Sequence, residues 1–214
     1  MISEKALFIF DVDGTLVNAY PAIEASLNFT RLQLGYSRVS LMKVKRSVGR
    51  GDENFIKAFF SDKDIPQALR IYRRHHKKVL LDLCSLRPGA REILEALKRK
   101  GKIICVASNR PLRFTDILLK KLKIKKYFDA VYCADKIKSL KPAPKILLVI
   151  LKHFKKTRRQ AVYIGDMDID LETARRARVE AVFIKGGSST LSQVSGYRNK
   201  KVISKLEEIL KLYA

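Results

Sequence analysis

The chain contains no tryptophan, and its acidic residues are far outnumbered by basic ones. Its three cysteines, Cys84, Cys105 and Cys133, are an odd number with no metal-site spacing. Cys105 and Cys133 fall in segments expected to be buried strands, where a free thiol behaves as a small apolar side chain. That pattern disfavours a disulfide-built secreted scaffold and favours a reducing compartment. Long apolar runs are also missing. The first, Ala6 to Phe10, spans five residues, too short for the apolar stretch of a secretory signal. No stretch approaches the ~20 apolar residues of a membrane span. The expectation is a cytoplasmic protein with no membrane partner.

The shortage of acid leaves 21 Asp and Glu against 45 Lys and Arg, a formal charge of +24. Such an excess raises nucleic acid as a partner. The basic residues are spread along the chain, however, and the runs Lys98 to Lys102, Lys120 to Lys126 and Lys152 to Arg159 lie at ends of expected helices. A cation there complements the helix dipole. Solvated helix faces are therefore the preferred reading, with nucleic acid kept as an alternative. At 214 residues and 47% apolar content, the chain can form one large domain or a core domain with an insertion, as a monomer or homodimer.

What is present is organised around Phe8 to Leu16, Phe-Ile-Phe-Asp-Val-Asp-Gly-Thr-Leu. An unbroken apolar run reads as a strand covered on both faces. Its abrupt end in two carboxylates suits a ligand site, because ligands bind at the carboxyl ends of strands in open parallel sheets. Asp11 and Asp13, two apart on extended chain, can face the same small site.

Residues 18 to 85 show helical patterning and no strand pattern, and read as an all-helical insertion. From Ser85 onwards helix and strand alternate, with strands at Lys102 to Ala107, Ala130 to Cys133, Ala161 to Ile164 and Ala181 to Ile184, and a last helix at Ser204 to Leu212. Five β units alternating with helices predict an α/β fold: a Rossmann-like parallel sheet flanked by helices. The expected division is a core of residues 1–17 and 86–214 with a helical cap of residues 18–85.

Polar groups sit at or just beyond the strand carboxyl ends: Asp11 and Asp13, Ser108, Lys141 before Pro142, and Asp166 and Asp170 in Gly-Asp-Met-Asp-Ile-Asp. In this order they resemble the four motifs of the haloacid dehalogenase superfamily of phosphohydrolases, over nearly the whole chain. The helical block resembles the small cap of phosphoglycolate phosphatase-like members.

The resemblance implies a phosphatase of small phosphate monoesters working through an aspartyl-phosphate, with phosphoglycolate as the first substrate to test. Asp11 is then the nucleophile, and Asp13 the acid for the leaving oxygen and the base for water. Lys141, the Ser108 hydroxyl and the Asn109 backbone N–H hold the phosphoryl oxygens. Mg²⁺ suits such an oxygen-rich site, with Asp11, the Asp13 carbonyl and Asp166 as ligands and Asp170 orienting that shell or a metal-bound water.

Further expectations concern single residues. Asp168 reads as a helix N-cap. His75 and His76 read as exposed or partly packed helix positions. Arg50, in a glycine-flanked loop, would meet a substrate carboxylate. Asp13 argues against a dehalogenase, since halide departure needs no acid. A phosphosugar mutase would share the same core, and a nucleic-acid-binding protein or a nucleic-acid-end phosphatase could be built on it.

Overall fold

The computed structural model describes residues 5–198 and 200–213. All four side chains of β1 (Leu7–Phe10) are buried, as expected for a strand covered on both faces. Past the first acidic motif, β2 (Val17–Asn18) leads into four helices: α1 (Tyr20–Gln33), α2 (Leu41–Ser47), α3 (Asp52–Lys57) and α4 (Ile65–Leu83). The chain returns through β3 (Ser85–Leu86), antiparallel to β2, with Val17 opposite Leu86 and Asn18 opposite Ser85. This ribbon stands where the helical block was expected to begin and end. Two-residue strands carry no period, so the sequence shows no trace of it.

Helix and strand then alternate through α5 (Ala90–Arg99), β4 (Ile103–Ser108), α6 (Leu112–Lys121), β5 (Ala130–Cys133), α7 (Ala134–Ile137) and α8 (Lys145–His153). They continue through β6 (Ala161–Gly165), α9 (Asp168–Ala177), β7 (Glu180–Ile184), β8 (Lys200–Ile203) and α10 (Glu208–Tyr213). Six strands form one parallel sheet in the order β5-β4-β1-β6-β7-β8. The α/β architecture is as expected, with one strand more than the sequence suggests. That strand is β8, Lys-Lys-Val-Ile, a half-polar edge whose lysines hide its pattern. The last helix accordingly starts at Glu208, later than expected.

Alternate residues of β1 feed two cores. Phe8 and Phe10 pack with Leu94, Leu118 and Ile209 on one face, while Leu7 and Ile9 pack with Ile146, Ile150 and Leu171 on the other. Cys84, Cys105 and Cys133 are free and buried. No described helix is long and apolar enough to cross a membrane.

Two single-residue expectations are corrected here. Helix α4 buries Ala68, Tyr72, His76 and Leu80, a stripe at four-residue spacing. His76 belongs to that stripe, whereas its neighbour His75 is half-exposed. The His76 ring stacks on Tyr72, centroids 5.3 Å apart, and meets the edge of Phe114 at 5.6 Å. Asp168 is not the cap of α9 but its first residue, after Met167. Asp170 instead reaches back to accept the Met167 N–H at 3.1 Å, as a residue at the third helical position can.

Candidate active site

Because β1 lies between β4 and β6, the polar residues that follow these three strands converge. The Asp11 N–H donates to the Ile164 carbonyl at 2.9 Å, carrying the ladder one residue beyond β1. Asp11, Lys141, Asp166 and Asp170 are all buried. The Lys141 ammonium donates to Asp11 Oδ1 at 2.8 Å, to Asp170 Oδ1 at 2.7 Å and to the Tyr163 hydroxyl at 2.9 Å. Burial disfavours its charge, but Asp11 and Asp170 outweigh burial and hold the ammonium well above its usual range. Asp11 is pushed up to about 8, first by burial; Asp170, Asp166 and Asp13 add to the rise and Lys141 opposes it.

Asp166 is held by three donors: the Thr15 hydroxyl at 2.8 Å, the Tyr20 hydroxyl at 3.0 Å and the Ser188 N–H at 2.7 Å. Burial and the charge of Asp170 still raise it to about 6. Gly14 makes this packing possible. Its φ is +84°, and a Cβ there would collide with the Tyr20 hydroxyl and the Asp166 carboxylate.

Asp13 faces a different partner. Arg110 grips it with both arms of the guanidinium, Nε to Oδ2 at 2.8 Å and Nη2 to Oδ1 at 2.7 Å. Nη1 of the same group lies 2.9 Å from His76 Nε2. A guanidinium can only donate, so Nε2 accepts and His76 is the neutral Nδ1–H tautomer. Its basicity agrees: burial, reinforced by the Arg110 charge, lowers His76 to about 3.

Ser108 and Asn109 lie at the same end of the sheet. The Ser108 hydroxyl accepts the Arg110 N–H at 3.2 Å. The Asn109 side chain joins three segments, accepting from the Lys141 N–H at 2.8 Å and donating to the Lys141 carbonyl at 3.2 Å and the Gly49 carbonyl at 2.7 Å. Helices α1 to α4 thereby sit over the strand ends. Between block and sheet lies a cavity of about 70 Å³, with Asp11, Asp13, Arg110 and Lys141 on its polar side and Phe55 and Tyr72 on its apolar side. Arg50 is not among the residues lining it. Its side chain is 62% exposed and lies 4.0 Å from Asp168.

Asp11, Asp166 and Asp170 each offer an oxygen within 4.8 Å of the others. An all-oxygen donor set suits a hard cation such as Mg²⁺. Burial and the neighbouring carboxylates disfavour the ionised forms of Asp11 and Asp166, a cost that a cation would relieve, so the residues fit the metal.

Asp11, Asp13, Ser108, Asn109, Lys141, Asp166 and Asp170 are thus brought together, and Arg50 is left outside. Arg110, Tyr20, Tyr163 and Thr15 belong to the constellation but carry little or no signal in the sequence. Thr15 is inside the first motif and Arg110 follows Ser108-Asn109, whereas nothing marks Tyr163 in its apolar strand.

Residues 8–184 match the profile of the haloacid dehalogenase-like hydrolases. The chain belongs to that family. Among similar family members is a phosphoglycolate phosphatase of Nitrosococcus oceani, 29% identical over 220 residues, covering 99% of this chain and 98% of its own. Another, from Aquifex aeolicus, is 27% identical over 207 residues, with 96% and 95% covered. A crystal structure described as a predicted phosphoglycolate phosphatase from Haemophilus somnus superposes with a TM-score of 0.94 at 22% identity, with 100% of both chains covered. This last likeness shows the shared fold.

Proposed function

We propose that the protein is a Mg²⁺-dependent phosphatase that hydrolyses small phosphate monoesters through an aspartyl-phosphate, with phosphoglycolate as its first candidate. The observation that carries this function is the buried Asp11–Lys141–Asp170 cluster opening onto a small cavity beneath a helical block. The names of the relatives point to the same ester.

In this function a carboxylate oxygen of Asp11 attacks phosphorus and the bond to the ester oxygen breaks. The departing oxygen takes a proton from Asp13. Asp13 then removes a proton from a water that attacks the phosphoryl group, which breaks its bond to Asp11 and releases phosphate. Lys141 faces the phosphoryl oxygens with a charge that its carboxylate partners keep in place. Ser108 and the Asn109 N–H complete the cradle. Asp11, the Asp13 carbonyl and Asp166 would hold Mg²⁺, with Asp170 orienting that shell or a metal-bound water. Bound there, the metal supplies the charge that keeps Asp11 ionised and offsets that of the phosphate.

Residues 18–85 act as the cap and residues 1–17 and 86–214 as the catalytic core, with the β2–β3 ribbon as the joint. The cavity beneath the cap is small, about 70 Å³. That space favours a short ester over a sugar phosphate or a nucleic-acid end. The free, buried cysteines support a cytoplasmic location, and a monomer or homodimer is the expected state.

Phosphate release from phosphoglycolate, sugar phosphates, nucleoside monophosphates and a 3′-phosphorylated oligonucleotide tests the proposal. Turnover should require Mg²⁺, favour the short ester and vanish in Asp11→Asn. Absence of turnover on every ester by a folded, Mg²⁺-loaded protein would overturn it.

A further inference from the structure

Arg110 is the residue that the proposed chemistry leaves unexplained. It is 8% exposed, lines the cavity with Asp11 and Asp13, and comes from the turn between β4 and α6. Its charge persists in spite of burial because the Asp13 charge and hydrogen bonds hold it above the usual guanidinium range.

Donor counting defines what Arg110 can still do. A guanidinium carries five N–H bonds, one on Nε and two on each terminal nitrogen. Asp13 takes Nε and one proton of Nη2, and His76 takes one proton of Nη1. One N–H on each terminal nitrogen has no partner among the described residues. His76, being neutral, aims the group without cancelling its charge. A carboxylate at that place would satisfy Arg110 and leave it with little pull on a ligand.

Both oxygens of Asp13 are meanwhile occupied by Arg110. Each of those oxygens keeps a second lone pair, so Asp13 can meet a leaving oxygen beside the Arg110 fork. A second anion on the substrate, close to the ester oxygen, would take the two unpartnered N–H groups. We infer that Arg110 is the specificity-determining residue of this site: its two unpartnered N–H groups receive a substrate carboxylate one or two carbons from the ester oxygen. The inference rests on the proposed phosphatase function and specifies its substrate class as small phosphorylated carboxylic acids. It also moves to Arg110 the role expected of Arg50, which lies outside the cavity.

The test compares kcat/KM for phosphoglycolate and for ethyl phosphate, which has the same carbon count but no carboxylate. The wild-type ratio should favour phosphoglycolate, and Arg110→Ala should reduce that ratio about 10- to 100-fold, the range of a lost charge-assisted hydrogen bond. Arg110→Lys, which keeps the charge but loses the fork, should fall between. Arg50→Ala should retain the wild-type ratio. An unchanged ratio in Arg110→Ala, or a collapse in Arg50→Ala, would overturn the inference.

Removing Arg110 strands Asp13 and His76, so a second measurement uses the wild type alone. Calorimetric binding to the Mg²⁺-loaded protein should be at least about tenfold tighter for phosphonoacetate than for ethylphosphonate. Equal affinities overturn the inference. Because binding needs no turnover, this result stands apart from failure of the phosphatase proposal, which shows as no hydrolysis of any ester.

Discussion

The ammonium of Lys141 lies 2.8 Å from Asp11 Oδ1, so the proposed nucleophile and the cation proposed to receive the phosphoryl group start as a buried ion pair. The Asp170 carboxylate shares the same ammonium at 2.7 Å. This triangle sets the first prediction. Lys141→Met should lower kcat about 100- to 1,000-fold, the usual loss when one preorganised transition-state donor is removed. It should also cost about 3–5 kcal/mol of stability at pH 8, because two buried carboxylates lose their counter-charge. Saturation kinetics and urea unfolding check both. A kcat within threefold of wild type would remove Lys141 from the chemistry.

The raised basicity of Asp11 and Asp166 makes stability depend on pH. Both have an ordinary value of 3.8 and rise on folding to about 8 and about 6. Between those limits the folded protein binds more protons than the unfolded chain, so stability falls as pH rises. The contribution is complete below about pH 3.8 and is lost as pH passes 6 and then 8. Lys141, held well above its usual range, stays charged throughout the window. In EDTA, the contribution of these carboxylates should lower Tm from pH 5 to pH 8.5. Mg²⁺ should restore it, more strongly at the higher pH, since metal ligands must be deprotonated. Thermal unfolding across that range decides the matter; a Mg²⁺ effect that does not grow with pH would contradict it.

The donors around Asp166 should matter through the metal. Tyr20→Phe deletes one hydroxyl 3.0 Å from Asp166 without touching the backbone. Its expected effect is about 10- to 100-fold weaker Mg²⁺ affinity, read as a higher Mg²⁺ concentration for half-maximal turnover. Gly14→Ala should do more, since the methyl group would displace both Tyr20 and Asp166. Activity titrated against Mg²⁺ measures each. Wild-type Mg²⁺ affinity in both variants would show that Asp166 needs no such support.

The charge of +24 has its own test. If it serves solvated surfaces, a 20-base-pair duplex should give no discrete gel shift at 150 mM salt, and any binding at low salt should weaken steeply as salt rises. A complex that survives moderate salt would revive the nucleic-acid alternative.

Sequence order was enough to place the acidic motifs at strand ends. An apolar run that stops at Asp11, and another that stops at Gly165-Asp166, are local patterns, and each implies a strand mouth without knowledge of its neighbours. The helical block was legible for the same reason, through amphipathic spacing such as that of α4. The edge strand β8 was not, because its lysines interrupt the apolar pattern.

The remainder of the site depends on pairs far apart in the chain. Tyr20 meets Asp166 across 146 positions, Arg110 meets Asp13 across 97, and His76 meets Arg110 across 34. Taken singly, Arg110 is one of 45 basic residues and His76 one member of a buried helical stripe. Local sequence alone therefore determined the parallel sheet and the carboxylates at its mouth, since apolar periodicity and motif spacing are short-range properties. Packing of the helical block on those strand ends decided which cation faces which carboxylate, because burial and hydrogen-bond direction exist only once distant segments meet.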